Sequence, residues 1–151
     1  VSKIKEKIPN IAITTDIIVG FPGETANDVD ETIDVIEKVK FNGAFTFIYS
    51  KRTGTPAAAM ENQIPEDDVK KQFNRVINAL NPVVYEKNKS HIGKVYKVLA
   101  EDVSGSDERF ITGRLEDNSL VHFEADKGVI GNIAEVEIID CKTFYLIGKS
   151  V

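Results

Sequence analysis

Residues 11–19 are nearly all apolar and rich in β-branched side chains, interrupted only by Thr14, Thr15 and Asp16, and they stop at Gly20-Phe21-Pro22-Gly23. Such a run suits a strand buried on both faces, as in a parallel sheet, and two glycines around a proline are a strong turn signal. Thr25 and Asn27 then offer helix N-caps, and Asp28, Asp30 and Glu31 fall in the first turn, where the helix dipole favours acids. Val29, Ile33, Ile36 and Val39 recur at helical spacing, so residues 27–40 are predicted to form an amphipathic helix. Asn42-Gly43 ends it, and residues 44–50 (AFTFIYS) read as a second strand with aromatic Phe45, Phe47 and Tyr49 on one face. Strand, helix, strand with so short a connection is a βαβ unit, which requires a parallel pair.

A polar loop over residues 51–55 carries Lys51, Arg52 and Gly54. From Pro65 onward Val69, Phe73, Val76, Ile77 and Leu80 repeat at helical spacing, behind the acids Glu66, Asp67 and Asp68. Pro82 is expected to kink this helix or restart it with Asn81 as a new cap, making residues 63–90 a connecting helix.

After residue 90 the pattern changes. Residues 92–100, 109–114, 119–124, 133–139 and 143–148 are five short β-type runs, separated by turns at 104–107, 116–118 and 126–128 that carry Gly, Asp or Asn. Closely spaced strands over some 60 residues predict a small closed barrel of the OB type. The fold class is therefore α/β plus all-β, with residues 1–62 as α/β, 63–90 as connector and 91–151 as barrel.

Composition narrows the chemistry. A single cysteine, Cys141, excludes a disulfide framework within the chain and any zinc or iron–sulfur site built on several of its own thiolates. His91 and His122 are the only histidines, and Glu66-Asp67-Asp68 reads as helix-terminal charge, so no metal site is predicted. There is no Walker-type phosphate loop, no Cys-x-x-Cys and no Ser/His/Asp arrangement. No apolar run approaches the ~20 residues needed to span a bilayer, which predicts a protein of the cytoplasm. Net charge is −5, divided between residues 1–87 (11 basic, 13 acidic) and 88–151 (8 basic, 11 acidic), so neither half carries a strong basic footprint.

TTDIIVGFPGET (residues 14–25) and FTFIYSKRTGTPAAAM (residues 45–60) resemble the C-terminal part of the radical SAM methylthiotransferases, and most closely the MiaB type, which acts on isopentenyladenosine beside the anticodon of tRNA. HIGKVYKVLAED, ITGRLEDNSLVHFEAD and IGNIAEVEIIDCKTFYLIGK resemble the TRAM domain that ends those enzymes. The resemblance implies that residues 1–62 are a partial parallel βα barrel remnant, followed by a five-stranded OB-like TRAM barrel. It further implies a longer parent protein that uses S-adenosyl-L-methionine and two 4Fe–4S clusters, whose cysteine ligands are absent here. This piece is expected to contain no catalytic residue and to be inactive alone. Related branches acting on threonylcarbamoyladenosine in tRNA or on ribosomal protein share much of the pattern, and a pure RNA- or protein-binding module is the alternative of another class.

By the same resemblance, Val19, Gly20, Phe21 and Glu24, at the carboxyl end of the first strand, are expected to hold the adenosyl part of the cofactor. Phe47, Ile48 and Tyr49 are expected to pack near its adenine. Lys51 and Arg52 at the mouth, and Arg114, Asn118, His122 and Lys142 in the barrel, are the residues expected to meet the tRNA anticodon arm. Phe123, Phe144 and Tyr145 either stack bases or fill the barrel. A barrel remnant would leave sheet edges uncovered, so residues 1–60 are expected to pair or swap with a second copy.

Overall fold

The computed structural model describes residues 1–105 and 107–151; Ser106, within the turn expected at 104–107, lies outside them. The chain divides into two compact units, one of Val1–Ser2 with Ile13–Val83 and the other of Lys3–Ala12 with Val84–Val151. A short helix, α1 (Ser2–Lys7), opens the chain without a buried residue.

The first unit is built on β1 (Thr14–Val19), α2 (Ala26–Val39) and β2 (Gly43–Ile48). β1 and β2 pair in parallel, from Thr14 opposite Gly43 to Val19 opposite Ile48. The strand begins at residue 14 rather than 11 because Ile13 is held differently: its N–H donates to the Asn42 Oδ1 at 3.1 Å, and its carbonyl accepts the Asn42 N–H at 2.8 Å. α2 starts in a capping box, with the Thr25 hydroxyl accepting the Asp28 N–H and the Asp28 carboxylate accepting the Thr25 N–H at 2.7 Å. It ends at Lys40 in the left-handed conformation, and Val29 and Ile36 are its buried residues.

The next helix, α3, runs unbroken from Glu66 to Lys89 with Pro82 inside it. The restart expected at Asn81 does not occur. Val76, Leu80 and Val84 are all buried at helical spacing on both sides of the proline, and their burial outweighs the one i→i−4 hydrogen bond that Pro82 cannot donate.

The second unit holds β3 (Val95–Val103), β4 (Phe110–Arg114), β5 (Leu120–Glu124), β6 (Ile133–Cys141) and β7 (Leu146–Ser150), closed into a barrel in the order β3-β4-β5-β7-β6. All pairings are antiparallel except β5 with β7. Register shifts between Ala100 and Asp102 and between Ile138 and Asp140 bend the two longest strands, as bulges do in closing a barrel. Alternate residues point inward, and Val98, Ile111, Val121, Phe123, Val136, Ile138 and Leu146 are fully buried. Each contributes about 1.5–3 kcal/mol of apolar burial. Phe123 is thus a core residue. Gly148 lets two strands meet: a Cβ there would lie 2.3 Å from a Val136 methyl. Cys141 is 2% exposed, and burial pushes its thiol pKa up, so it packs as a small hydrophobe.

Candidate functional site

At the carboxyl ends of β1 and β2 the first unit has a cleft of about 220 Å³, lined by Gly20, Ile48, Tyr49, Lys51, Gln63, Ile64, Glu66, Val69 and Lys70. The ends of parallel strands are where α/β folds characteristically place ligands. Gly20 follows β1 with φ +83° and sits against α3 so closely that a Cβ would fall 2.6 Å from a Val69 methyl. Its N–H donates to Glu24 Oε2 at 2.6 Å. Val19 is 1% exposed, and its carbonyl accepts the Tyr49 N–H at 2.8 Å. Phe21 is half exposed and meets the Tyr49 ring edge-on, with centroids 5.3 Å apart. The Tyr49 hydroxyl is buried and has no hydrogen-bond partner among the described residues.

The residues expected to hold a cofactor therefore separate into groups. Gly20, Ile48 and Tyr49 line the cleft, with Phe21 edge-on to Tyr49, whereas the Glu24 carboxylate is engaged in fixing the Gly20 turn. Phe47 alternates with Ile48 and lies on the opposite sheet face, where Ile18, Phe45 and Phe47 are 53%, 69% and 50% exposed. Lys51 lines the cleft; Arg52 stands outside its lining, its carbonyl accepting the Thr55 hydroxyl at 2.8 Å.

Gln63, Ile64, Glu66, Val69 and Lys70 also line the cleft but were not expected there from the sequence, which marked Glu66 and Val69 only as parts of a helix. Gln63 Nε2 donates to the Ala57 and Met60 carbonyls, at 2.9 Å each, and fixes the loop that enters α3. Lys70 pairs with Glu66 at 2.7 Å, and its hydrogen bond holds that carboxyl below the usual glutamate range. Pro65 and the acids behind it were the available signal for a helix start, but only the fold brings that start beside Gly20.

In the second unit Thr112, Arg114, Leu120 and His122 point outward from adjacent strands β4 and β5. His122 Nδ1 lies 3.1 Å from the Thr112 hydroxyl, and the imidazole meets Tyr145 edge-on at 5.0 Å. Burial lowers the His122 pKa, which favours a neutral ring near pH 7. Arg114 donates to the Asn118 carbonyl at 3.1 Å and lies 3.4 Å from Glu101. Asn118 itself takes φ +69° and closes the β4–β5 turn, its N–H donating to the Leu115 carbonyl. Lys142 is exposed in the β6–β7 turn, its ammonium 3.9 Å from Asp140 and its N–H donating to the Tyr145 carbonyl at 2.8 Å. The fold thus brings Arg114, Asn118 and His122 onto one face, and Tyr145 links His122 to the turn that carries Lys142. Asn88 was missed: 8% exposed near the end of α3, it donates to the carbonyls of Lys142 and Thr143, both at 2.9 Å.

Among the described residues no group of three or more His, Cys, Asp or Glu could hold a metal ion. Nor is any helix among them long and apolar enough to cross a membrane.

A family model described as the TRAM domain matches residues 89–151, the barrel and the helix end before it. The tRNA-2-methylthio-N(6)-dimethylallyladenosine synthase of Acetivibrio thermocellus is 52% identical over 151 residues, which are 100% of this chain and 32% of that protein. The protein of the same name from Lachnoclostridium phytofermentans is 50% identical over 149 residues, 99% of this chain and 33% of that protein. That of Clostridium botulinum strain Hall is 48% identical over 151 residues, covering 34% of it. The chain spans about a third of the length of the curated relatives it matches. All 151 residues are thus similar to about a third of these synthases, and residues 89–151 match the TRAM domain.

Proposed function

We propose that the chain serves, within a larger cytoplasmic enzyme, in adding a methylthio group to N6-(dimethylallyl)adenosine next to the anticodon of tRNA. The observation that carries this reading is the near-50% identity to synthases of that name along all 151 residues. The branches acting on threonylcarbamoyladenosine or on ribosomal protein remain the competing substrates, and the experiment below separates them.

The first unit would supply one wall of the S-adenosyl-L-methionine site. The cleft fits an adenosyl group in kind: an apolar Ile48 flank, the close backbone at Gly20, and the buried Tyr49 hydroxyl awaiting a partner. Gly20, Ile48, Tyr49 and Lys51 are the residues that would bind and orient it. When bound, the cofactor supplies radical chemistry for an adenine C–H bond together with the methyl group. The iron–sulfur clusters expected of the family do not fit this chain, because one buried cysteine cannot provide three thiolates. The chain alone is therefore expected to be inactive.

The second unit would dock the anticodon arm through the β4–β5 face, with Arg114 and Lys142 toward phosphate and His122 with Tyr145 toward bases. OB-type barrels use this face and the neighbouring loops for oligonucleotides. Deleting the whole gene should remove the methylthio mark from dimethylallyladenosine in tRNA, as read by nucleoside mass spectrometry, and re-expression should restore it. Persistence of that mark, with loss of methylthio-threonylcarbamoyladenosine or of a ribosomal-protein modification instead, would overturn the reading.

A further inference from the structure

We infer that Phe144 is a stacking platform for one unpaired RNA base, held in place by Asn88 from beneath the β6–β7 turn. This rests on the reading of the barrel as the tRNA-docking part and deepens it.

Phe144 is 69% exposed. A large aromatic ring displayed to water on a short turn contributes little to the barrel that carries it. Yet the turn is built rigidly. Its ends are joined by the Lys142 N–H donating to the Tyr145 carbonyl at 2.8 Å, and both carbonyls preceding Phe144 accept from the nearly buried Asn88 amide at 2.9 Å. An amide with both protons committed in this way fixes the backbone on the inner side and leaves the Phe144 ring on the outer side.

The surroundings fit a nucleobase. The neighbouring Tyr145 ring is locked edge-on to His122, and His122 is in turn within hydrogen-bond distance of Thr112. Lys142, two residues before Phe144, has an ammonium that is more than half exposed and only loosely paired with Asp140. An exposed ring on the turn next to Tyr145 in the chain, with an available cation on the same turn, combines base stacking with phosphate pairing. A protein partner would make more use of continuous apolar surface than of an ammonium and an imidazole.

The test uses the 151-residue chain and a tRNA anticodon stem-loop carrying 2-aminopurine at successive loop positions. Binding should quench fluorescence at one position through stacking. Phe144→Tyr should bind like the wild type. Phe144→Leu and Phe144→Ala should bind roughly 5- to 150-fold more weakly and abolish the quenching, without changing the salt dependence of binding or the urea midpoint. Full affinity and quenching in Phe144→Ala, or in Phe144→Leu, would overturn the platform while leaving RNA docking intact. A wild-type chain that fails to bind the stem-loop would overturn both.

Discussion

The Gly20 N–H donates to the Glu24 carboxylate at 2.6 Å, so the turn leaving β1 is closed by its own glutamate. Glu24 thereby fixes the backbone at Gly20, beside the cleft. Glu24→Ala should cost about 1.5–3 kcal/mol in urea unfolding, the range for a hydrogen bond to a charged acceptor. Glu24→Gln, which keeps an oxygen acceptor, should lose less. Equal stability of Glu24→Ala and the wild type would remove the turn-closing role.

Gly20→Ala is expected to be more damaging. The left-handed backbone costs an L-residue about 1–2 kcal/mol, and the new Cβ would stand 2.6 Å from Val69. Val69→Ala in the same chain should recover the steric part but not the backbone part. A double-mutant cycle measured by urea unfolding checks this, and strict additivity would refute the contact.

Replacing Asn88 by Leu should destabilise the second unit by about 2–3 kcal/mol, because two backbone carbonyls lose their donor in a buried place. In amide exchange measured by NMR, protection should fall first at Lys142, whose N–H closes the turn. A variant with unchanged exchange there would show that the turn holds without Asn88.

Two histidines make stability depend on pH. Burial lowers the pKa of both His91 and His122 from 6.5. The unfolded chain then binds more protons than the native one between the ordinary value and the lower folded value, so native stability falls as pH drops through that window and is constant above it. NMR titration should place both midpoints below 6.5. A His122 midpoint above 6.5 would contradict the neutral ring that faces Tyr145.

The sheet face formed by Ile18, Phe45 and Phe47 lies exposed, on a two-stranded sheet. Copies of the chain are expected to associate through it, and Phe47→Asp should lower the association measured by light scattering. A strict monomer at high concentration, with an ordered first unit, would rule this out.

Periodicity carried much of the fold. The spacing of Val29, Ile33 and Ile36 made α2 legible, and alternation made all five barrel strands legible, because each pattern follows from a local repeat. At Pro82 the helix does not restart, since a local rule for breaking helices lost to burial of Val76, Leu80 and Val84. The sites were read less well because their contacts are not local. Val69 meets Gly20, and Asn88 meets the turn at Lys142, only after distant segments fold together. At two of the expected site residues, Glu24 and Asn118, the fold adds a turn-holding role that residue type did not announce, one by its carboxylate and the other by a left-handed backbone.

The single parallel pairing in the barrel has a consequence for truncation. β7 is bonded on one side to β5 and on the other to β6, although it is only 5 residues long. Loss of that strand would turn a barrel without open edges into a sheet with two. Both would be hydrogen-bonding templates for aggregation, so deleting β7 is expected to be far more harmful to solubility than deleting α1, which buries no residue.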